Sequence, residues 1–191
     1  MTHSGLPGRP RTRSMDGSDM FQRSPDDRAE VLAAATAIAR RRGETRIGTD
    51  HLLMGVVTAG NEIARAAGLS VERLQDALDR LDGSALGAFG IDAAPDAWSM
   101  PSELAESLRA RPRRHRSGVR RHLPLSAGAK QSLSKSVRVA LDNRHRRVTT
   151  NHLLAALSTA GQNDPAIRLL RTSAVDPADL ESAARAALND G

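Results

Sequence analysis

Apolar positions recur at helical spacing in two parts of the chain, and both parts predict short amphipathic helices. The first stripe repeats every three or four residues, as one face of a helix requires. Its members are Val31, Leu32, Ala35, Ile38 and Ala39. Ser24 and Pro25 are residue types that begin helices, and Gly43 is a type that ends them. The first helix is therefore predicted between Ser24 and Gly43.

Three more helices are predicted in the same part of the chain. Thr49 is expected to cap the second helix, because a threonine oxygen can accept a backbone N–H at a helix start. A short third helix should end at Gly68. Ser70 is expected to cap the fourth helix, with Leu69 and Leu74 at the spacing of a hydrophobic staple.

A second run of helices, in the same order, is predicted after residue 122. Ser126 should begin the first of them, and Thr149 or Thr150 should cap the next. Pro165 stands in a first-turn position of the third helix, and Asp176 should cap the fourth. The apolar face of the first of these helices is predicted to consist of Leu133, Val137, Ala140 and Leu141.

Two matching windows show that the chain contains an internal repeat. They read IGTDHLLMGVVTAG, from Ile47 to Gly60, and VTTNHLLAALSTAG, from Val148 to Gly161. Both contain a threonine, a histidine and two leucines in the same order, 101 residues apart. A helix with so broad an apolar face cannot bury it alone, and a duplicate supplies the partner. The predicted fold class is all-α, a pseudo-twofold tandem repeat of two four-helix units packed into one body.

Changes in composition suggest the boundaries of these units. Residues 1–22 are rich in Gly, Pro, Ser and Arg without apolar periodicity, which is typical of a disordered tail. The first repeat is predicted at residues 23–83 and the second at residues 123–191. Residues 84–122 are predicted to form a linker with a short helix and an arginine-rich segment.

The residue types present argue against an enzyme. The chain has no cysteine, which excludes disulfides, thiolate nucleophiles and cysteine-bound zinc. His51 and His152 occupy matched positions, but neither has the i+4 partner of a metal site, so packing or local hydrogen bonding is the preferred interpretation. The chain contains neither a phosphate-binding G-x-x-x-x-G-K-[ST] loop nor a nucleophile elbow. We therefore expect a non-enzymatic protein without metal or cofactor.

No apolar run in the sequence approaches the length that a membrane span needs, and no signal peptide is recognisable, so a cytoplasmic protein is expected. The formal net charge is +6 and is concentrated in one segment that holds seven arginines and no acid. These arginines are Arg109, Arg111, Arg113, Arg114, Arg116, Arg120 and Arg121. Such a segment is either a solvated linker or a contact for phosphate or an acidic surface.

The two windows resemble the core of the Clp N-terminal domain (Clp repeat) family. The family core I-G-T-E-H-[IL]-L-x-[GA]-L corresponds to IGTDHLLMGV and VTTNHLLAAL, and the family's I-P-F-T-P-x-A-K to LPLSAGAK from Leu123 to Lys130. The resemblance covers about Met20 to Leu188. It implies the substrate-receiving module of ClpA- and ClpC-type unfoldases without their ATPase modules, and we expect a free-standing protein of the actinobacterial type.

The resemblance implies a site for phosphorylated arginine, because the Glu of the family motif helps to bind it in some members. The corresponding residues are Thr49 and Asp50 in the first repeat and Thr150 and Asn151 in the second. Asp50 keeps the negative charge and Asn151 loses it, so the first repeat is expected to bind better. The alternative, that these four residues only cap helices, stays open.

The resemblance also implies a hydrophobic groove between the repeats, which takes partner proteins and cyclic peptide antibiotics. Phe21 matches one of its aromatic residues, but Leu125 replaces the other, so cyclic peptide ligands are expected to bind weakly. The expected partners are Clp protease components, adaptors or substrate proteins, with a decoy, adaptor or reservoir role. The alternative function is a nucleic-acid-associated protein that uses Arg109 to Arg121, although aromatic residues for base stacking are lacking.

Overall fold

The computed structural model of the chain describes residues 27–88 and 123–189. The first range contains four helices, α1 (Asp27–Arg41), α2 (Thr49–Thr58), α3 (Glu62–Ala66) and α4 (Val71–Ala88). The second range contains α5 (Ala127–Asp142), α6 (Thr150–Ser158), α7 (Pro165–Thr172) and α8 (Pro177–Asn189). Apart from one parallel bridge between Ile47 and Leu125, no β-structure occurs in these two ranges. The predicted all-α fold class is confirmed for them.

Several predicted helix starts are confirmed by side-chain capping. Ser126, Asp176 and Ser70 each accept a backbone N–H of the following turn, at 3.1, 2.8 and 3.2 Å. Pro165 occupies the start of α7 as predicted. Because these oxygens satisfy N–H groups that have no partner within the helix, each should stabilise its helix by roughly 1 kcal/mol. Ser24, the predicted cap of the first helix, lies outside the described residues.

The second helix of each half lies at the centre of the core. The largest fully buried apolar side chains of these two helices are Leu52, Leu53, Met54, Leu153, Leu154 and Leu157. α1 packs across α2, and α5 packs across α6 in the same way. Between the halves, α2 contacts α6, α4 contacts α7, and α3 contacts α8. These reciprocal contacts are compatible with the predicted pseudo-twofold repeat.

Three local predictions differ from the structure. Gly48, and not Thr49, is the N-cap of α2, because the Thr49 hydroxyl has a partner elsewhere. Leu141 does not join the apolar face of α5 but is 69% exposed. α4 continues to Ala88, whereas the apolar pattern predicts a fourth helix through Leu78 to Leu81. The predicted brevity of the third helix is confirmed, since α3 has 5 residues and α7 has 8.

A short backbone pairing joins the segment before α2 to the segment before α5. The N–H of Ile47 donates to the carbonyl of Pro124, and the N–H of Ser126 donates to the carbonyl of Ile47, both at 2.9 Å. Leu125 lies between these bonds and packs, half-buried, against the core. The first turn of α5 is thereby held next to the start of α2, where the candidate site lies.

Candidate functional site

The start of α2 meets the start of α7 at a junction that we call the first seam, formed by Thr49, Asp50, Gly128 and Asp164. The buried Thr49 hydroxyl donates to Asp164 Oδ1 at 2.7 Å. The same carboxylate oxygen accepts the N–H of Ala166 at 2.9 Å. A Cβ at Gly128 would lie 3.3 Å from Asp164 Oδ2, so α5 closes on the seam. Thr49 is therefore buried and positions Asp164.

Asp50 is the group of the first seam with the clearest capacity to bind a cation. Its side chain is 15% exposed, and its Oδ1 lies 3.1 Å from His51 Nδ1. Burial raises the pKa of Asp50, but the neighbouring His51 side chain and the backbone N–H groups of Asp50 and His51 lower it by more, and the net pKa is below the ordinary value. A half-buried carboxylate that stays ionised at neutral pH can form a charge-assisted bond to a guanidinium.

The equivalent junction in the other half, the second seam, is formed by Asn61, Thr150 and Asn151. Asn61 is 6% exposed and caps α3 through its Oδ1, which accepts the N–H of Ala64 at 2.9 Å. Its Nδ2 donates to Thr150 Oγ1 at 2.9 Å and to Asn151 Oδ1 at 2.7 Å. Both predicted binding residues of this half therefore already accept hydrogen bonds within the protein, and the three side chains carry no charge.

The two seams share one architecture and differ in charge. In each, the N-cap of a third helix reaches across to the start of the other half's second helix, with Asp164 in one seam and Asn61 in the other. Sequence reasoning missed both of these residues as parts of a site. The detectable signal was their helix-start position after Gly60 and Gly161, but nothing local indicated the partners across the molecule.

A small pocket opens beside the first seam. Its volume is about 110 Å³, and Gly128, Lys135, Thr159 and Asp164 contribute to its wall. The Lys135 Nζ is 3.4 Å from the carbonyl oxygen of Thr159. The pocket lining thus contains one cation and one carboxylate.

The two repeated histidines have different surroundings. His152 Nδ1 accepts the N–H of Thr149 at 3.0 Å, and its Nε2 lies 2.9 Å from His145 Nδ1. Burial and the charge of His145 lower the pKa of His152 to about 4, so it is neutral at pH 7. The predicted local hydrogen bonding is confirmed for His152. His51 Nδ1 accepts the N–H of Gly48 at 3.1 Å, but its buried Nε2 has no hydrogen-bond partner in the described part of the chain.

Most of the remaining predicted positions lie outside the described part of the chain. Phe21 and the segment from Arg109 to Arg121 lie outside the described residues, so the groove is represented only by Leu125. Within residues 27–88 and 123–189, no cluster of three or more metal-ligating side chains occurs. None of the helices described there combines the length and hydropathy of a membrane span.

The sequence of this chain is similar to N-terminal regions of Clp proteins. Residues 124–191 match the Clp repeat (R) N-terminal domain family. The chain is 28% identical over 147 residues to "Negative regulator of genetic competence ClpC/MecB" of Bacillus subtilis, which is 75% of this chain and 14% of the relative. It is 38% identical over 68 residues to "Chaperone protein ClpB" of Oceanobacillus iheyensis, 34% of this chain and 8% of the relative. The chain therefore spans a small fraction of these curated relatives.

Solved structures show the same fold. The N-terminal domain of ClpD from Arabidopsis thaliana superimposes with a TM-score of 0.61 at 17% identity, covering 92% of this chain and 99% of that domain. The Hsp104 N-terminal domain from Candida albicans superimposes with a TM-score of 0.52 at 14% identity, covering 83% and 87%. The fold and the family match confirm the resemblance that the repeated motif indicated.

Proposed function

We propose that this chain, which has the fold of the Clp N-terminal domains and matches their family over its second half, is a non-catalytic binding module. Its ligands would be substrate or adaptor proteins of a Clp chaperone–protease system, in a decoy, adaptor or reservoir role. The proposal is supported by the relatives, which are Clp chaperones, and by two helix-start seams that present polar groups between the halves.

The finer proposal is that the first seam binds phosphorylated arginine on such proteins. The observation that supports it is the ionised, half-buried carboxylate of Asp50, which has no charged counterpart at Asn151. Asp50 would hold the guanidinium group through charge-assisted hydrogen bonds. The phosphate would meet the N–H groups at the start of α5, since helix N-termini favour anions. Thr49 acts here by holding Asp164 in place.

The second seam is proposed to be a poor site. Asn61 already donates to both Thr150 and Asn151, so a ligand would have to displace two hydrogen bonds without gaining a charge-assisted one. This asymmetry makes the two halves unequal in binding although they are alike in fold.

Calorimetric titration of the full chain with free phosphoarginine tests the site. Asp50→Asn keeps the shape of the side chain and removes its charge, and it should weaken binding at least about tenfold, since a charge-assisted bond is worth roughly 1.5–3 kcal/mol. Asn151→Ala is the matched control at the equivalent position and should change affinity less than about twofold. Equal affinities of wild type and Asp50→Asn would refute the assignment, provided that circular dichroism shows both to be folded.

The wider role needs a separate experiment. Immobilised wild-type chain and Asp50→Asn should be exposed to cytosol and compared for retention of Clp protease components and of arginine-phosphorylated proteins. We expect the phosphorylated proteins to be lost with Asp50→Asn. Retention of neither class by the wild type would contradict a role in the Clp system.

The predicted domain boundaries, the hydrophobic groove and the nucleic-acid contact stay predictions. The division into residues 1–22, 23–83, 84–122 and 123–191 is a proposal, as are the groove between Phe21 and Leu125 and a contact of Arg109 to Arg121 with nucleic acid. Steep salt dependence would identify the last of these, because counterion release accompanies the neutralisation of phosphates.

A further inference from the structure

We propose a second binding site, independent of the first seam, at which the face between α5 and α8 receives an acidic segment of a partner protein. A pocket of about 120 Å³ opens between these helices. Its lining consists of Lys135, Arg138, Val139, Asp142, Asn143 and Arg185. We call it the α5–α8 pocket.

Positive charge dominates the α5–α8 pocket. Three of its side chains are cationic and Asp142 is its one carboxylate. Arg185 donates through Nε to Glu181 at 2.7 Å, and the two side chains are 53% and 27% exposed. In the described part of the chain, no carboxylate lies within ion-pair distance of Lys135 or Arg138. Two cations at one pocket thus lack an anionic partner, and a carboxylate-bearing ligand would supply it.

The first half of the chain shows what occupies the equivalent place. There Arg42, directly after α1, forms ion pairs with Asp79 and Asp82 on α4. The offset between the two matched windows aligns Arg42 with Asn143. The offset between Leu74 and Leu180, which hold equivalent positions in the fourth helices, aligns Asp79 with Arg185. The half that contains α5 and α8 therefore has a cation where the other half has a carboxylate. The ion pairs that close the first face are replaced by an open, positive pocket.

An exposed apolar side chain on α5, the helix that carries most of the pocket lining, favours a protein segment as the occupant. Leu141 precedes Asp142 in α5 and is 69% exposed, the highest value for a large apolar side chain in the described residues. A nucleic acid backbone or an inorganic anion offers nothing to cover it, whereas a peptide with acidic and leucine side chains matches both the charge and the apolar contact.

Fluorescence anisotropy with two labelled peptides tests this proposal. The probe Glu-Asp-Leu-Glu-Asp should bind the full wild-type chain, with affinity that falls as salt is added, and Lys-Lys-Leu-Lys-Lys should not bind. The double variant Arg138→Glu/Arg185→Glu should weaken binding of the acidic probe at least about tenfold. Leu141→Ser should weaken it about threefold through the lost apolar contact. Arg80→Glu, at an exposed position of α4, is the charge control and should match the wild type.

Several outcomes would overturn the proposal. Failure of the acidic probe to bind the wild type would do so, as would equal affinities of the double variant and Arg80→Glu. Competition by millimolar inorganic phosphate, or tighter binding of single-stranded DNA that is lost in the double variant, would assign the pocket to phosphate instead of peptide. Asp50→Asn should leave the acidic probe unaffected, so this site and the first seam can fail separately.

Discussion

Removing the Asn61 side chain should destabilise the protein more than removal of an ordinary helix cap. Asn61→Ala deletes the cap of α3 and the two hydrogen bonds to Thr150 and Asn151, at a position that is 6% exposed. A cap is worth roughly 1 kcal/mol. Each bond across the seam adds about 0.5–1.5 kcal/mol, because its acceptor loses a partner in a half-buried place. We expect the free energy of unfolding to fall by about 2–4 kcal/mol.

The matched control is Asp176→Ala. Asp176 caps α8 through one bond to the N–H of Ala178 at 2.8 Å, and it is exposed. Its removal should lower the free energy of unfolding by roughly 1 kcal/mol. Asn61→Ser is a second comparison, since a serine oxygen can still cap α3 but is too short to reach Thr150, and it should lie between the two alanine variants.

Urea denaturation followed by circular dichroism measures all three variants. A double-mutant cycle between Asn61→Ala and Asn151→Ala should give a coupling energy of about 0.5–1.5 kcal/mol. If Asn61→Ala proves no more damaging than Asp176→Ala, and the coupling energy is zero within error, the second seam does not hold the halves together as its hydrogen bonds indicate.

Three further measurements follow from other parts of the structure. A methyl group at Gly55 would lie 2.6 Å from a backbone oxygen of α1, so Gly55→Ala should lower the free energy of unfolding by about 1–3 kcal/mol. Gly83 lies in open space on α4, and Gly83→Ala should raise the free energy of unfolding by up to about 1 kcal/mol in the same urea assay. The pKa of His152 is lowered from 6.5 to about 4 in the folded protein, so the unfolded chain binds the proton more readily. The free energy of unfolding, measured with urea, should therefore decrease as the pH falls from about 6.5 towards 4. His152→Gln should make this decrease smaller. If the segment from Arg109 to Arg121 binds nucleic acid, the logarithm of the affinity should fall linearly with the logarithm of the salt concentration, and salt-independent binding would exclude the phosphate contact.

The predictable parts of the fold were those that depend on neighbouring residues. The cap at Ser126 and the staple of Leu69 and Leu74 around Ser70 each need only a few adjacent residues, and the structure contains them. Burial of the leucine pairs in α2 and α6 follows from the broad apolar face that both windows show. In these cases the local pattern and the final packing require the same residue types.

The wrong predictions concern residues whose partner is distant in sequence. Thr49 has a suitable residue type for an N-cap, but its hydroxyl donates to Asp164, 115 positions away, and Gly48 takes the cap position instead. Leu141 fits the apolar spacing of α5, but no element of the described chain covers that side, and it is exposed. Neither outcome can be read from a local pattern, because each depends on which elements pack together.

Only two of the four residues of the first seam follow from the sequence, and its geometry does not. The family motif indicates Thr49 and Asp50, and Asp50 has the charge and partial exposure that the proposed role needs. Asp164 was expected neither in the seam nor as the partner of Thr49. The α5–α8 pocket was absent from the sequence reasoning altogether, since it requires knowing that Arg185 of α8 faces the end of α5.

The N-caps of the two third helices differ in charge although both satisfy a backbone N–H of the following turn. Asn61 and Asp164 both cap their helices through bonds of 2.9 Å, because an amide oxygen and a carboxylate oxygen satisfy the same N–H. Exchanging one for the other therefore preserves the helix start but changes the charge of the seam. Within the core the constraint is the opposite, since any change of size or polarity at the paired leucines would leave a cavity or an unsatisfied group. Helix starts are thus positions at which the charge of such a repeat can change while the cap of the helix is kept.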